Sequence, residues 1–232
     1  MWNGKKKAVT FSFDDGVMQD IKTIEILNKY GLKATFNLNS GALGCVSGKD
    51  QYGARHDRVL ASKVSEIYNG HEIAAHTLTH PNLTELEEES IVRQIEIDRR
   101  LLKELCGYDI VGMAYPCGGV NNDERVASII AKHTSICYAR TITSTHNFAL
   151  QTELLRFNPT VSYTEEGVVE RLIDEFMEKQ TEKPQLFYLW GHTYEFDRNG
   201  GSWNRFENIC KALAGKIDIF YGTNREVLLN KD

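Results

Sequence analysis

With 232 residues, of which 41% are hydrophobic and 25% charged, the chain has the composition of a globular protein and the length of one barrel-sized domain, expected here over residues 1–232. That composition excludes a largely disordered chain. A net charge of -5 excludes a nucleic acid as the main partner, because phosphate binding needs clustered Lys and Arg, and the one basic run, Lys5 to Lys7, reads as a solvated lead-in to a strand.

In chain order, short apolar segments alternate with amphipathic helical ones, the pattern of a parallel α/β fold. Residues 7–13 read as a strand, 17–30 as a helix stopped by Gly31, and 33–38 as a second strand. A Gly-rich loop follows at 40–57, then a helix at 59–69 and a strand at 71–75 whose far end carries His76. Thr84 and Glu87 have the spacing of a capping box and open a long amphipathic helix to residue 106, followed by a strand at 110–115. Further helices are predicted at 121–132, 164–180 and 202–214, and further strands near 135–141, 154–157, 185–190 and 217–221. Seven or eight parallel strands with intervening helices predict an α/β fold of the (β/α) barrel kind.

Five cysteines, at 45, 106, 117, 137 and 210, are an odd number without CxxC spacing; they signal neither a disulfide framework nor a thiolate zinc site, and fit a reducing compartment. The first residues lack the apolar run of a secretory signal, and no stretch is long enough to span a bilayer, so a cytoplasmic location is expected if the chain is complete as given.

Three polar clusters fall where a barrel keeps its chemistry, at the C-terminal ends of strands. Asp14 and Asp15 are adjacent carboxylates that repel each other unless they share a cation or proton, which suggests a metal site or a base; the competing reading has Asp15 cap a helix opening at Val17. His76 and His80 stand four apart, so in a helical turn both rings could reach one ion. Two His and one carboxylate form a facial triad open to water, suited to zinc and also to iron, cobalt or nickel. His192 ends an aromatic strand and is placed to move a proton near neutral pH. The aromatic residues around it, Tyr188, Trp190, Tyr194 and Phe196, fit either a core or a stacking wall for a sugar ring.

The order of these clusters resembles the polysaccharide deacetylase family, carbohydrate esterase family 4, whose homology domain has about the length of this chain. The family's T-F-D-D-G stretch is similar to Thr10 to Gly16, and its H-[ST]-x-x-H stretch matches His76-Thr77-Leu78-Thr79-His80 in full. The resemblance implies a distorted (β/α) barrel in which Asp15, His76 and His80 bind a divalent metal, zinc first among the candidates, Asp14 is the base and His192 the acid. It also implies an oxyanion donor at the amide of Cys117, with Tyr115, Trp190 and Arg140 grouped with it around the substrate. Three departures stand out. The family's R-x-P-[FY]-G motif appears as Ala114-Tyr115-Pro116-Cys117-Gly118, without its arginine, for which Arg140 or Arg156 could substitute from a later strand, Arg140 being preferred. The later Asp-containing motif is not recognisable at 140–144, and Trp190 stands where the final L-x-H motif has leucine.

The function these features imply is metal-dependent removal of acetyl groups from an N- or O-acetylated carbohydrate. Two alternatives remain open on sequence: a metal-dependent hydrolase of a non-sugar linear or cyclic amide, and a carbohydrate-binding relative without catalysis, for which loss of the motif arginine is the best support.

Overall fold

The computed structural model describes residues 1–229. Eight strands are formed: β1 (Lys7–Asp14), β2 (Ala34–Leu38), β3 (Glu72–Ala75), β4 (Gly112–Ala114), β5 (Tyr138–Arg140), β6 (Val161–Ser162), β7 (Gln185–Gly191) and β8 (Ile219–Tyr221). Their order is β5-β4-β3-β2-β1-β7-β6, with β8 beside β1, and every pairing is parallel. All eight residues of β1 are buried, as a central parallel strand covered on both faces requires.

The barrel is distorted at two places. On one side of β1, β8 pairs with the first half of the strand, Lys7 to Val9, and β2 with the second half, Phe11 to Asp14. Between β5 and β6, closure falls to an irregular segment: Phe157 bridges Arg140, and four residues later Val161 pairs with Leu189. The expected distorted (β/α) barrel is the fold observed.

Among the described residues, seven helices surround it: α1 (Asp20–Lys29), α2 (Val64–Ile67), α3 (Glu88–Cys106), α4 (Glu124–His133), α5 (Val168–Glu178), α6 (Trp203–Leu213) and α7 (Asn224–Leu229). Gly31 stops α1 as expected. At φ 65° its amide donates to Asn28 O, and the Leu32 amide to Leu27 O, the bond pattern of a Schellman cap. Thr84 does not open α3. The Asn82 side chain accepts from both the amide and the hydroxyl of Thr84, producing a separate turn over Leu83–Glu85, and the helix begins at Glu88. The strand expected at 154–157 is instead a 3-10 turn over Leu154–Arg156 with a single bridging residue. Likewise the helix expected at 59–69 shrinks to α2 behind a 3-10 turn, Ala61–Lys63.

The two faces of β1 and β2 bury different chemistry. Phe11, Phe13 and Phe36 pack outward in the larger apolar core with Ile24 and Leu27 of α1 and Phe206 of α6. Alternate residues form a polar chain beneath the site. Glu72 accepts from Thr35 Oγ1 at 2.7 Å, Thr35 Oγ1 accepts from the Asn224 amide at 2.8 Å, and Asn224 Nδ2 donates to Ser12 Oγ at 3.1 Å. Asn37 Nδ2 donates to Ser12 Oγ at 2.9 Å and to Asp14 Oδ1 at 2.8 Å, so the chain ends on a carboxylate of the first polar cluster. Among the described residues, no helix is long and apolar enough to cross a membrane.

Candidate metal centre and active-site cleft

The ends of β1, β3, β4 and β7 meet around a cleft of about 290 Å³ lined by Asp14, Asp15, His76, His80, Tyr115, Cys117, Trp190, His192 and Tyr194, among others. The chain leaves β1 through two left-handed residues, Asp15 (φ 85°) and Gly16 (φ 65°), and a Cβ at Gly16 would lie 2.7 Å from Leu38 Cδ2. The helix-cap reading of Asp15 does not hold, since α1 opens only at Asp20.

The two histidines reach each other without a helical turn. Thr77 (φ 68°) and His80 (φ 62°) are both left-handed, which folds the pentapeptide so that the rings lie 4.9 Å apart between centroids. The strained turn is held from three sides. Asn39 Nδ2 donates to the carbonyls of His76 and Thr77, Gln94 Oε1 accepts from the Thr79 amide at 3.0 Å, and Gly41 N donates to Leu78 O at 3.0 Å. A Cβ on Gly41 would stand 2.5 Å from Leu78 O, so only glycine permits that approach. Asp98 of α3, fully buried, accepts from the amides of His76 and Ser40 at 3.1 and 2.7 Å. Burial pushes its carboxyl up to about 7 against those bonds.

Asp15, His76 and His80 each present one ligand atom, all within 4.8 Å of one another. His76 Nδ1 lies 2.9 Å from Ala114 O and so carries the proton, leaving Nε2 as a lone-pair donor. Burial holds the His76 imidazolium down to about 4, with Asp14 opposing, so the ring is neutral near pH 7, the form that ligates. Asp15 Oδ1 is buried and accepts no hydrogen bond among the described residues; Arg58 Nη1 is 3.0 Å and His80 Nε2 3.6 Å away. An ionised carboxylate oxygen that accepts no hydrogen bond, beside two imidazoles, fits a divalent cation. Burial raises the Asp15 pKa, but His192, Arg58 and His76 together outweigh it and hold the group well below the usual carboxylate range.

Asp14 sits deeper, and its partners differ. Arg140 Nη2 lies 2.5 Å from both carboxylate oxygens, with the two side chains 0% and 2% exposed. Burial again pushes upward, and Arg140, His76 and His192 win, so Asp14 stays ionised. The guanidinium is clamped over the Trp190 ring, 4.5 Å from its centroid, and donates to Thr141 O at 3.0 Å. Arg140 is therefore behind Asp14, and it is absent from the cleft wall where the substrate residues had been grouped. Arg156, the other candidate, donates to Asn122 Oδ1 at 3.0 Å.

His192 Nε2 lies 4.0 Å from Asp15 Oδ2, and its Nδ1 lies 3.1 Å from Glu195 Oε1. Burial lowers its pKa, but Glu195, Asp15 and Asp14 overcome that and raise it to about 9. Glu195 also accepts from the His192 amide at 3.1 Å, fixing the ring and the backbone together. Cys117 is left-handed (φ 68°), in a turn whose three carbonyls, of Tyr115, Pro116 and Cys117, all accept from Asn121 Nδ2. Tyr115 donates its hydroxyl to Leu155 O at 2.7 Å. Of the four aromatic residues near His192, Trp190 and Tyr194 line the cleft, while Tyr188 and Phe196 are core.

Four contributors escaped the sequence reading: Glu195, Asn37, Arg58 and Asp98. Two carried a signal. Glu195 stands three after His192, and Asp98 falls on the buried stripe Ile91, Ile95, Leu102 of α3, where a carboxylate needs a partner. Asn37 and Arg58 are set only by long-range pairing.

The sequence profile of the family described as polysaccharide deacetylase matches residues 2–134. The bifunctional xylanase/deacetylase of Pseudobutyrivibrio xylanivorans is 27% identical over 123 residues, covering 50% of this chain and 18% of that protein. The peptidoglycan-N-acetylmuramic acid deacetylase PdaC of Bacillus subtilis (strain 168) is 25% identical over 122 residues, covering 52% and 23%. The match therefore spans about a fifth of the length of each of these relatives. Among solved structures, the Xyl-CE4 domain of a multidomain xylanase from the hindgut metagenome of Trinervitermes trinervoides superposes with a TM-score of 0.61 at 17% identity, covering 97% of this chain and 91% of that one, a likeness of fold.

Proposed function

Because the chain belongs to the polysaccharide deacetylase family, we propose that it is a metal-dependent hydrolase that removes acetyl groups from an N- or O-acetylated carbohydrate, with Asp14 as base and His192 as acid. One observation carries this reading: the three ligand atoms of Asp15, His76 and His80, within 4.8 Å of one another, stand beside an ionised aspartate that bonds an arginine instead of joining the set.

Asp15, His76 and His80 would hold the cation, zinc by preference, with cobalt, nickel or iron suited to the same donors. A divalent ion held there polarises the acetyl carbonyl and lowers the pKa of water towards neutrality. The protein's own groups divide the proton traffic. Asp14, kept ionised by Arg140 and oriented by Asn37, accepts the proton of the attacking water. The Cys117 amide donates to the carbonyl oxygen as it gains charge. His192, with its Nδ1 held by Glu195, gives a proton through Nε2 to the departing nitrogen or oxygen, so the products are acetate and a free amine or hydroxyl.

The missing motif arginine favours a carbohydrate-binding relative without catalysis; the Arg140–Asp14 ion pair supports the catalytic reading against it. The test combines elemental analysis with acetate release from a panel of acetylated saccharides, for the wild type, Asp14→Asn and His76→Ala. About one metal per chain, lost in His76→Ala, and acetate release abolished in Asp14→Asn are expected. Metal bound without acetate release from any saccharide would overturn the reading in favour of amide hydrolysis or binding alone.

A further inference from the structure

The β1–β7 ladder places the end of β7 only as far as Gly191, whose register partner is Phe13. His192 is the first residue beyond it. Glu195 meets the His192 ring and amide with its two carboxylate oxygens, but both residues belong to one segment. These bonds set the ring relative to its own backbone, and a site also needs that backbone set relative to the segment that carries Asp15. The next residue makes that bond. Thr193 donates through Oγ1 to Asp20 Oδ1 at 2.6 Å, with both residues 0% exposed. Asp20 ends the segment that Asp15 begins, and the segment is fixed in turn: Val59 N donates to Gly16 O at 2.9 Å, Met18 N to Asp57 O at 2.8 Å and Asp20 N to Val17 O at 2.9 Å. His192 is thus bracketed, by the ladder at Gly191 and by Asp20 at Thr193. Gln19 repeats the tie at the far end of the turn Thr193–Gly200, donating through Nε2 to Asp197 Oδ2 at 2.8 Å.

Asp20 belongs neither to the ligand set nor to the proton transfers, and its place at the start of α1 does not account for it. An acidic residue that only complements the first turn of a helix can do so from the surface, where it needs no side-chain partner. Asp20 is buried, which pushes its carboxyl up to about 7 in spite of the bonds from Thr193 and Tyr68. A carboxylate so placed is destabilising unless it is bonded, and both of its oxygens accept from other segments, Oδ1 from Thr193 and Oδ2 from Tyr68 OH at 2.6 Å.

We infer that Asp20 is a positioning residue for the proposed acid: through Thr193 it fixes the segment after β7 against the segment after β1, and so holds His192 Nε2 towards Asp15 and the departing group. The inference rests on the deacetylase reading above. Losing the Thr193 hydroxyl then disturbs the proton given to the departing group and leaves metal binding and substrate affinity unchanged.

The test uses the metal-loaded protein as wild type, as Thr193→Val, which keeps the shape without the hydroxyl, and as Thr193→Ser, which keeps the hydroxyl. Each is assayed on an N-acetylated saccharide that the wild type hydrolyses, on phenyl acetate and on 4-nitrophenyl acetate, whose leaving groups need a proton in decreasing order. In Thr193→Val, kcat on the saccharide is expected to fall about 10- to 100-fold, as for a displaced catalytic group, with a smaller loss on phenyl acetate, 4-nitrophenyl acetate within about threefold of wild type and KM unchanged. Thr193→Ser should stay within about threefold throughout, and elemental analysis should find the wild-type metal content in both. Asp20→Leu, which cannot accept from Thr193, should show the same graded loss, and combining it with Thr193→Val should add no more than about threefold, because the two residues act through one bond. Should Asp20→Leu fail to give a folding transition in a thermal melt, the Thr193 variants decide alone. An equal loss on all three substrates, a saccharide kcat within about threefold of wild type in Thr193→Val, or the same loss in Thr193→Ser overturns the inference, while wild-type acetate release keeps the deacetylase reading. A wild type that releases no acetate from any of a panel of acetylated saccharides overturns that reading, and the inference with it.

Discussion

Replacing Arg140 by Met removes the guanidinium that bonds Asp14 and keeps most of its volume. The pair is 0% and 2% exposed, so the carboxylate left behind has no water to replace its partner. Breaking such a buried pair from one side costs about 3–5 kcal/mol, and Asn37 Nδ2 at 2.8 Å offsets only a small part as a neutral donor. The carboxylate escapes that cost by taking up a proton, and a protonated Asp14 cannot act as base. Loss of general-base assistance then predicts a fall in kcat/KM for acetate release of about 100-fold or more. The rescue is specific to geometry. Ala114 is the register partner of Arg140 across β4 and β5, and directly paired residues of parallel strands project to the same face. Ala114→Arg in the Arg140→Met background therefore returns a guanidinium to the Asp14 side from one strand over, and recovery of at least about tenfold is expected. Steady-state acetate release on wild type, Arg140→Met and the double variant decides the matter. Arg140→Met within about threefold of wild type would refute the assignment.

Two further outcomes follow from named contacts. Glu195→Gln takes the carboxylate from His192 Nδ1, so less of His192 carries the proton it has to give and its ring is less firmly held; hydrolysis of an N-acetyl substrate should fall about 10- to 100-fold, while 4-nitrophenyl acetate, whose leaving group needs no proton, should be nearly spared, and an equal loss on both would show that Glu195 only holds the fold. His71 is buried as a neutral ring, its pKa lowered by burial from 6.5 to about 4, so the unfolded chain binds the proton first as the pH falls. Its contribution to stability is complete above pH 6.5 and is lost towards pH 4, amounting to about 3 kcal/mol. Urea midpoints for wild type and His71→Leu should converge as the pH is lowered through that window; parallel curves would exclude His71 as the source.

The parallel alternation of strands and helices was legible because buried strands are short apolar runs, and because Gly31 and the Asn69-Gly70 pair punctuate them where the backbone turns left-handed. The reading failed where a local competitor outbid a helix or strand signal. Asn82 drew Thr84 into a turn of its own, and at 154–157 the apolar pair Leu154-Leu155 packs a 3-10 turn against the core without joining a ladder. The spacing of His76 and His80 pointed to a shared ion by way of an α-turn. The structure reaches the same proximity through two left-handed residues, a conformation that no spacing rule reveals, since it is imposed by Asn39, Gln94 and the bare backbone of Gly41.

The proposed ligands and base stand in the first two motifs and the proposed acid in the last, whereas the groups that contact them have moved. The charge on Asp14 comes from the end of β5, where the motif would place it on β4, and the carboxylate behind His192 comes from three residues downstream of it. The asymmetry has a physical origin. A ligand or proton donor must hold a single atom at a fixed point, which ties it to one strand end. A supporting charge needs only to reach the far side of its partner, and any neighbouring strand end can deliver that, provided something fixes its long side chain. Trp190 does so for Arg140: the aromatic ring that replaces the motif leucine is the surface on which the displaced guanidinium is clamped. The absent arginine and the unexpected tryptophan are thus one change seen twice, two departures from the family pattern that compensate each other across the barrel.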